Sequence, residues 1–417
     1  MNTNTARSSA GIEAHKLAFS GRSFEFFRVW IVNVLLTIVT LGLYTPVARR
    51  RTARYFFDHT QVAGSPLEFT AQLRKMVLGF VIFALLYLAF KIASDTGQTT
   101  ASSMFIVAAA VMAPYIWGSA MRFRLGNTRW RGLQLQFSAS WKEVYLASWP
   151  IFAMAAVWVL ATFALKTLAP ELPTPPRPPG GPRGVPNPAL SLPQVTPEMW
   201  AVIALGVVLS LLCIIRLEFN YKSLLVLRAG IGNQRGRWKP VYGDFVKVWA
   251  ATIGVFIVSV LLAVGLLGLL GLLLGASQAM FSDMRGMGPK LIVFIALAFI
   301  VFVLVLILAS APARAYREAR MFQLIWSNVG LSQVARFKCA LKTRSYVLLR
   351  LKNILLALLT LGLYRPFAKV SEYRMKVESV TMHVKGGVDQ LVGQLSKQQK
   401  EGLGDALADA AGLDLIG

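Results

Sequence analysis

The sequence predicts an all-α polytopic membrane protein, with six clean transmembrane helices and two repeated, kinked hydrophobic segments. Three observations lead to this prediction. Of the 417 residues, 55% are hydrophobic and 15% are charged, whereas soluble domains are about a quarter charged. Several apolar runs approach or exceed the roughly 17–25 residues that cross a bilayer. One hydrophobic motif also occurs twice, once near each end of the chain.

Six apolar runs are expected to span the membrane, and none of them contains an aspartate or a glutamate. The runs are residues 76–93, 101–120, 146–165, 200–215, 250–276 and 290–311. The loops between them alternate between strongly basic and nearly neutral. The net charge of +25 therefore follows the positive-inside pattern of membrane proteins rather than the pattern of a nucleic-acid-binding protein. The basic loops are expected in the cytoplasm, and they are residues 45–75, 121–145, 216–249 and 312–345.

The repeated motif reads Thr-Leu-Gly-Leu-Tyr, with a proline two residues after the tyrosine. An asparagine precedes each threonine by seven residues, and basic residues interrupt the hydrophobic stretch before each copy. Such agreement indicates one structural unit that is used twice. Either these polar residues brace a broken helix or they serve a function. The candidate positions are Arg28, Asn33, Thr40, Gly42, Tyr44, Arg350, Asn353, Thr360, Gly362 and Tyr364.

Two arrangements of the repeated segments fit the sequence. If each copy is re-entrant, dipping into the membrane and returning, the chain has six spans and both termini lie in the cytoplasm. If each copy crosses, there are eight spans and both termini lie outside. The first arrangement is preferred, because an arginine near the bilayer centre costs about 3 kcal/mol on insertion scales. The glycine and proline of each copy also offer a place to turn.

A second motif predicts small β-hairpins in two of the cytoplasmic loops. Residues 60–71 and 128–139 each contain a threonine, a glycine four residues later and a Phe-Thr-Ala or Phe-Ser-Ala triplet. A glycine between two short extended stretches is typical of a hairpin. The candidate positions in these loops are Thr60, Gly64, Asn127, Thr128, Arg129, Trp130 and Gly132.

The composition divides the chain into five segments. They are a polar N-terminal segment (1–23), a first membrane module (24–168), a proline-rich extracytoplasmic linker (169–197), a second membrane module (198–367) and a cytoplasmic C-terminal tail (368–417). Within the tail, residues 390–415 are compatible with one amphipathic helix.

These motifs resemble the YjgN family of bacterial inner-membrane proteins, a family without an established function. The resemblance rests on the Thr-Leu-Gly-Leu-Tyr copy at 40–44, the loop at 127–132 and the acidic end of the tail, around 404–416. The family usually has tryptophan where this chain has Pro46 and Pro366. The resemblance implies an inner-membrane location, and it brings no substrate and no catalytic residue.

The sequence predicts no catalytic, cofactor-binding or metal site. His15, His59 and His383 lie far apart, without companion ligands at the spacing of a metal site. No phosphate-binding loop or nucleophile elbow occurs. The chain is therefore expected not to be an enzyme and to need no cofactor.

The preferred functional hypothesis is a transporter or channel-like protein for a small solute or a lipid, because duplicated membrane modules with broken helices are typical of transporters. It requires a polar cavity near the middle of the membrane, lined by Asn33 and Asn353. The alternative is a membrane scaffold or regulator of another envelope protein. The expected partners are anionic lipid headgroups at the cytoplasmic loops and a membrane protein or second copy of the chain, with no nucleic acid.

Overall fold

The computed structural model describes residues 11–169, 196–232, 234–273, 289–332, 334–393 and 395–396. The proline-rich linker and most of the C-terminal tail after residue 393 lie outside these residues. In the described part, short strands alternate with long helices.

The helices are α1 (Ser23–Val39), α2 (Thr45–Asp58), α3 (Leu73–Asp95), α4 (Thr99–Gly126), α5 (Trp141–Ala147), α6 (Trp149–Leu168), α7 (Pro197–Arg228), α8 (Tyr242–Leu273), α9 (Pro289–Trp326), α10 (Thr343–Leu359) and α11 (Arg365–Val377). The strands are β1 (Ile12–Lys16), β2 (Ala18–Phe19), β3 (Thr60–Val62), β4 (Ser65–Phe69), β5 (Thr128–Trp130), β6 (Leu133–Phe137), β7 (Ala229–Ile231), β8 (Gln234–Arg237), β9 (Gly330–Leu331), β10 (Ala335–Cys339) and β11 (Val380–Lys385).

The described chain is built from five successive units, each of which runs from a strand through helices to a second strand. The units are β2–α1–α2–β3, β4–α3–α4–β5, β6–α5–α6–α7–β7, β8–α8–α9–β9 and β10–α10–α11–β11. In every unit the first strand pairs antiparallel with the last. Each helical excursion therefore returns to the strand beside the one it left.

The start of each unit follows one local rule. A side chain that is no more than 7% exposed ends the first strand or, in the fourth unit, directly follows it, and a helix begins four residues later. These side chains are Phe19, Phe69, Phe137, Trp238 and Cys339. The helix of the third unit also has a capping box, because Ser140 and Glu143 each accept the other's backbone N–H, and such a cap satisfies two helix-end donors at once.

The five units form one antiparallel sheet that closes into a ring. Hairpin turns join successive units, and the last joint is made by β1 and β11, which come from opposite ends of the chain. Their register runs from Ile12 opposite Lys385 to Lys16 opposite Thr381. Leu17 then links β1 to β2 and donates its N–H to the carbonyl oxygen of Val380 at 3.0 Å. Closure removes the unpaired edges that an open sheet would present.

All helical excursions leave the ring at one edge. Each strand from β3 to β10 has a helix at one end and a hairpin turn at the other, so the hairpin turns lie at the opposite edge. We call these the helix edge and the turn edge. All the helical hairpins therefore extend from the same side of the ring.

Six of the described helices are long and apolar enough to cross a membrane, as the sequence predicts. They comprise Leu73–Asp95, Thr99–Gly126, Trp149–Leu168, Pro197–Arg228, Tyr242–Leu269 and Phe299–Trp326. The two repeated segments are shorter helical hairpins, α1–α2 and α10–α11. Both ends of each are tied to paired strands, β2 with β3 and β10 with β11. Each repeated segment therefore returns to the side it left, which agrees with the six-span arrangement.

The fold prediction was incomplete in one major respect. It described small separate hairpins, whereas the 60–69 and 128–137 hairpins belong to a ring of eleven strands in the described chain. Strands of two to six residues are too short to be stable alone. They persist because each strand from β3 to β11 is paired on both sides, while β1 and β2 are each paired on one side and follow one another in the chain. Residues 12–19, in the stretch assigned to the polar N-terminal segment, supply two of these strands.

Apolar side chains fill the turn edge of the ring, and the beginning of the C-terminal tail covers it. Residues 388–393 are helical, and Leu391 and Leu395 are buried in the same hydrophobic cluster as Trp130 of the sheet. Arg131, in the β5–β6 turn, pairs with Asp389 of the tail at 2.6 Å. The remainder of the predicted 390–415 helix lies outside the described residues.

Candidate functional site

The two Thr-Leu-Gly-Leu-Tyr copies fold into the same turn. Gly42 and Gly362 both have φ of +93°, a backbone conformation that glycine adopts without the strain that other residues incur. The Thr40 hydroxyl donates to the carbonyl oxygen of Leu36 at 2.7 Å and accepts the N–H of Tyr44 at 3.0 Å. In the second copy Thr360 makes the same two bonds, at 2.8 and 3.0 Å.

In each copy the asparagine links the two helices of the hairpin by a hydrogen bond. Asn33 and Asn353 are 5% and 2% exposed, and each donates from Nδ2 to a carbonyl oxygen 15 residues later, at 3.4 Å in both copies. These acceptors, Ala48 and Ala368, lie on the returning helix. The side chains shared by the two copies therefore hold the helical hairpins together.

Three of the positions that differ between the two copies have a charged side chain in the second copy and an uncharged one in the first. With the copies offset by 320 residues, Arg350 stands where the first copy has Trp30. In the same way Glu372 replaces Thr52, and Lys376 replaces Phe56. If these three positions only maintained the hairpin, uncharged side chains like those of the first copy would be sufficient in both copies. The ionic set is therefore the best candidate for a function specific to the second copy.

The ionic set forms a cluster between α9, α10 and α11, which we call the Arg350 cluster. Arg350 is hydrogen-bonded to Glu318 through Nη1 and lies 3.3 Å from the Glu372 carboxylate. Lys376 donates to the other oxygen of Glu318 at 2.8 Å. Asn353 also donates to Glu372, at 3.0 Å. Asn353, which links the two helices of the second copy, is therefore also hydrogen-bonded to the ion-pair cluster.

The electrostatics keep this cluster charged. Burial by itself would lower the pKa of Arg350, but Glu372 and Glu318 outweigh burial and raise that pKa above its ordinary value. Burial raises the pKa of Tyr346 well above its usual range, so the phenol stays protonated and accepts a hydrogen bond from Arg350 at 3.2 Å. A permanent cation therefore stands at the centre of the cluster.

The Arg350 cluster separates two cavities. The first, of 770 Å³, lies between α7, α9 and the strands β7–β9, and we call it the chamber. The second, of 760 Å³, follows α10 from Arg350 to the turn at Leu361–Leu363 and is also lined by Ile307 of a spanning helix. We call it the membrane-side cavity. Arg350 lines both cavities, so this one side chain stands at their boundary.

Of the described residues, seven charged side chains line the chamber, and the others that line it are apolar, aromatic or glycine. Glu218 is held by Arg317 at 3.4 Å and by the Trp249 indole N–H at 2.9 Å. The basic side chains outnumber the acidic ones. The charged residues are Glu218, Lys222, Arg314, Arg317, Glu318, Arg350 and Lys376.

Of the residues predicted from the repeat, Arg350 and Asn353 belong to the Arg350 cluster, and Gly362 lines the membrane-side cavity. Arg28 is exposed on α1 and stacks on Phe24, 4.8 Å from the ring centroid. Tyr44 accepts a hydrogen bond from Arg51 at 3.0 Å, and Tyr364 stacks on Phe367. Their environment is the surface of each hairpin rather than the Arg350 cluster.

The predicted loop residues lie in the ring. Thr60 and Thr128 bond back to the carbonyl four residues earlier, at 2.6 and 2.8 Å, and Asn127 does the same at 2.6 Å. Gly64 and Gly132 have positive φ in the hairpin turns. The Trp130 indole donates to the carbonyl of Val62 at 3.0 Å and so ties neighbouring hairpins. Arg129 is exposed.

No sequence motif predicted the acidic residues of the site. Glu318 lies beyond the apolar centre of α9, in a stretch where the alanines at 311, 315 and 319 are fully or almost fully buried. Small residues every fourth position, interleaved with charges, indicate a helix that packs closely while it remains polar on another face. That signal could have identified Glu318, but nothing local predicts its pairing with Arg350.

Metal chemistry finds no support in the side chains. No group of three or more His, Cys, Asp or Glu side chains among the described residues could hold a metal ion. The chamber lining, with more basic than acidic side chains, instead suits an anion.

Comparison with known proteins gives a family but no activity. A family model described as "Bacterial protein of unknown function (DUF898)" matches residues 14–410. Inner membrane protein YjgN of Escherichia coli O157:H7 is 22% identical over 156 residues, or 37% of this chain and 39% of that protein. Inner membrane protein YjgN of Salmonella typhimurium strain LT2 is 23% identical over 169 residues, or 40% of this chain and 43% of that protein. The alignments thus span about two fifths of these relatives, and no solved structure matches the chain.

Proposed function

Because the chain belongs to the DUF898 family and its matched relatives are inner membrane proteins YjgN, we propose that it is an inner-membrane transporter or channel-like protein for a small solute or a lipid. In this proposal the ring and both termini lie in the cytoplasm. The substrate passes between the chamber and the membrane-side cavity, and the Arg350 cluster controls that passage.

One observation carries the proposal, namely that Arg350 lines two large cavities at once. Ion pairs at such a boundary can separate two compartments and still exchange partners, because Arg350 faces both Glu318 and Glu372. The proposal is supported on one side, since Asn353 lines the membrane-side cavity. Asn33 is instead buried against Ala48.

The proposal is tested by removing the charge at the boundary. A strain that lacks the protein is complemented with the wild-type chain, with Arg350→Met or with Arg28→Met, and its metabolites and lipids are profiled. We expect Arg350→Met to reproduce the profile of the deletion, because the cluster loses its central cation. Arg28→Met is the matched control, since it removes the same side chain from an exposed site on the corresponding hairpin. Full complementation by Arg350→Met would contradict the transport proposal.

A second function, as a membrane scaffold or regulator, is favoured by a different observation. In five of the six spans only 6–11% of the apolar window is buried within the chain, and in the sixth the share is 22%. Such faces suit lipid, another membrane protein or a second copy of the chain. Chemical crosslinking in native membranes is expected to give a reproducible adduct through the spans if this function holds. Finding only the monomer would exclude it.

A further inference from the structure

The chamber has a polar half and an apolar half. On α9 the charged Arg314 and Arg317 come first, and the apolar Phe322 and Ile325 follow toward the sheet. A helix rises 1.5 Å per residue, so Arg314 and Ile325 are about 16 Å apart along the axis. On α7, in the same direction, Lys222 precedes Leu225. The cations therefore form a belt on the membrane side, and a hydrophobic floor lies against the ring.

Two cations of this belt face the chamber without a carboxylate partner. Arg314 bonds only to Ser310 and the carbonyl of Ile307, on its own helix, and Lys222 has no ion pair or hydrogen bond with any of the described residues. The other cations are held by Glu218 or by the Arg350 cluster. An anion in the chamber would therefore meet Lys222 and Arg314 with their charge uncompensated.

The apolar floor of the chamber indicates which chemical group a bound anion must also carry. Phe322, Ile325 and Trp326 line it with the apolar residues of β7 and β9, and among the residues that the structure describes no serine, threonine, asparagine or glutamine lines the chamber. A sugar or another hydrophilic solute would leave its hydroxyls unbonded there, at about 1–3 kcal/mol for each group by mutational measures. A hydrocarbon chain would instead gain about 0.8 kcal/mol for each buried CH₂ group.

We infer that the chamber binds an anionic amphiphile, whose phosphate lies between Lys222 and Arg314 and whose single acyl chain lies on the hydrophobic floor. The inference rests on the proposed function, since it names the substrate class of the same site. The phosphate would come from the headgroup layer, because the belt lies where α7 and α9 pass from their apolar spans to the ring.

The binding test compares three probes on the full-length protein in non-ionic detergent, with native mass spectrometry as the readout. Palmitoyl lysophosphatidic acid has both the chain and the phosphate. Palmitoyl lysophosphatidylcholine has the same chain but a zwitterionic head, and inorganic phosphate is the head alone. We expect lysophosphatidic acid to bind one to one and at least about tenfold more tightly than either of the others. Equal binding of the two lipids, or binding of phosphate as tight as that of the lipid, would overturn the inference.

Variants locate the binding. The double variant Lys222→Gln and Arg314→Gln is expected to weaken lysophosphatidic acid at least about tenfold and to leave lysophosphatidylcholine unchanged. The double variant Arg129→Gln and Lys142→Gln is the matched control, because it removes the same charge from exposed sites outside the chamber. Ile325→Glu, which places a carboxylate in the floor, is expected to abolish binding of both lipids. If the first double variant and the control bind alike, the phosphate site is not in the chamber.

The outcomes separate this inference from the transport proposal. Selective lysophosphatidic acid binding together with full complementation by Arg350→Met leaves a lipid-binding protein that does not transport. A deletion-like profile for Arg350→Met without lipid selectivity leaves a transporter of another substrate class.

Discussion

At the scale of single residues, identical positions and divergent positions of the internal repeat have different roles. Gly42 and Gly362 share the same backbone angle, and Asn33 and Asn353 make the same brace. Shared geometry of this kind indicates a structural role. Arg350, whose counterpart in the first copy is the uncharged Trp30, instead lies at the boundary of two cavities.

The first prediction concerns the glycine of the turn. Gly42→Ala is expected to lower the free energy of unfolding by about 1–3 kcal/mol, because a Cβ at positive φ strains the backbone. No heavy atom lies within 4 Å of the added Cβ, so steric contact does not contribute. The measurement is chemical unfolding in detergent micelles, followed by helical circular dichroism.

Gly79→Ala is the matched control for this variant. Gly79 also has open space around its Cβ position, but it lies inside α3 without a positive φ. Alanine is favoured over glycine in a helix by about 1 kcal/mol, so stability should stay constant or rise. Equal effects of the two substitutions would contradict the assignment of strain to the turn.

At the scale of elements, the ring depends on β1, a strand that no motif in the sequence predicts. β1 is short and lies near the N-terminus, yet it supplies five residue pairs to β11 and closes the sheet. Without it β11 would have a free edge, and such an edge pairs readily with other chains. The helical excursions of the first and last units would also lose their common base.

The second prediction follows from this closure. Deletion of residues 1–16 is expected to destabilise the protein by about 1–5 kcal/mol, since each cross-strand pair contributes about 0.2–1 kcal/mol. The deleted protein should also self-associate, which size-exclusion chromatography detects. Thermal unfolding measures the loss of stability. Deletion of residues 1–10 keeps every β1–β11 pair and should match the full chain, and a similar loss in both deletions would refute the role of β1.

At the scale of the whole molecule, the described chain is a ring that carries three helical hairpins long and apolar enough to span a membrane and two shorter ones. The ring ties the base of all five, so the turn between α3 and α4 lies beyond the spans, on the side away from the sheet. The basic loops belong to the ring side, and they are expected to be cytoplasmic by the positive-inside rule.

The third prediction tests this arrangement with single cysteines. Gln98→Cys, in the exposed turn between α3 and α4, is expected to react with a membrane-impermeant maleimide added outside intact spheroplasts. Arg129→Cys, on the exposed face of β5, should react only after the membrane is opened. The wild-type chain, with Cys339 buried and Cys213 partly buried, is the blank. Labelling of both positions from the outside would contradict a single ring side.

Much of this architecture could be predicted from the sequence, because the signals are local. Hydropathy identifies the six spans over windows of about 20 residues, and charge in adjacent loops indicates their orientation. The repeated turn at Gly42 and Gly362 needs hydrogen bonds that reach only four or five residues along the chain. The hairpins at Gly64 and Gly132 are equally local.

Membrane character, six long apolar helices and two copies of one helical turn can be predicted from the sequence, since backbone bonding within a helix and burial in lipid require only neighbouring residues. The closed ring and the Arg350 cluster depend instead on contacts between distant parts of the chain. β1 and β11 pair across some 370 residues, and Glu318, Arg350 and Glu372 meet from three different helices. A hydrogen bond or ion pair depends on distance in space, and no periodicity along the chain records which distant strands or charges will meet.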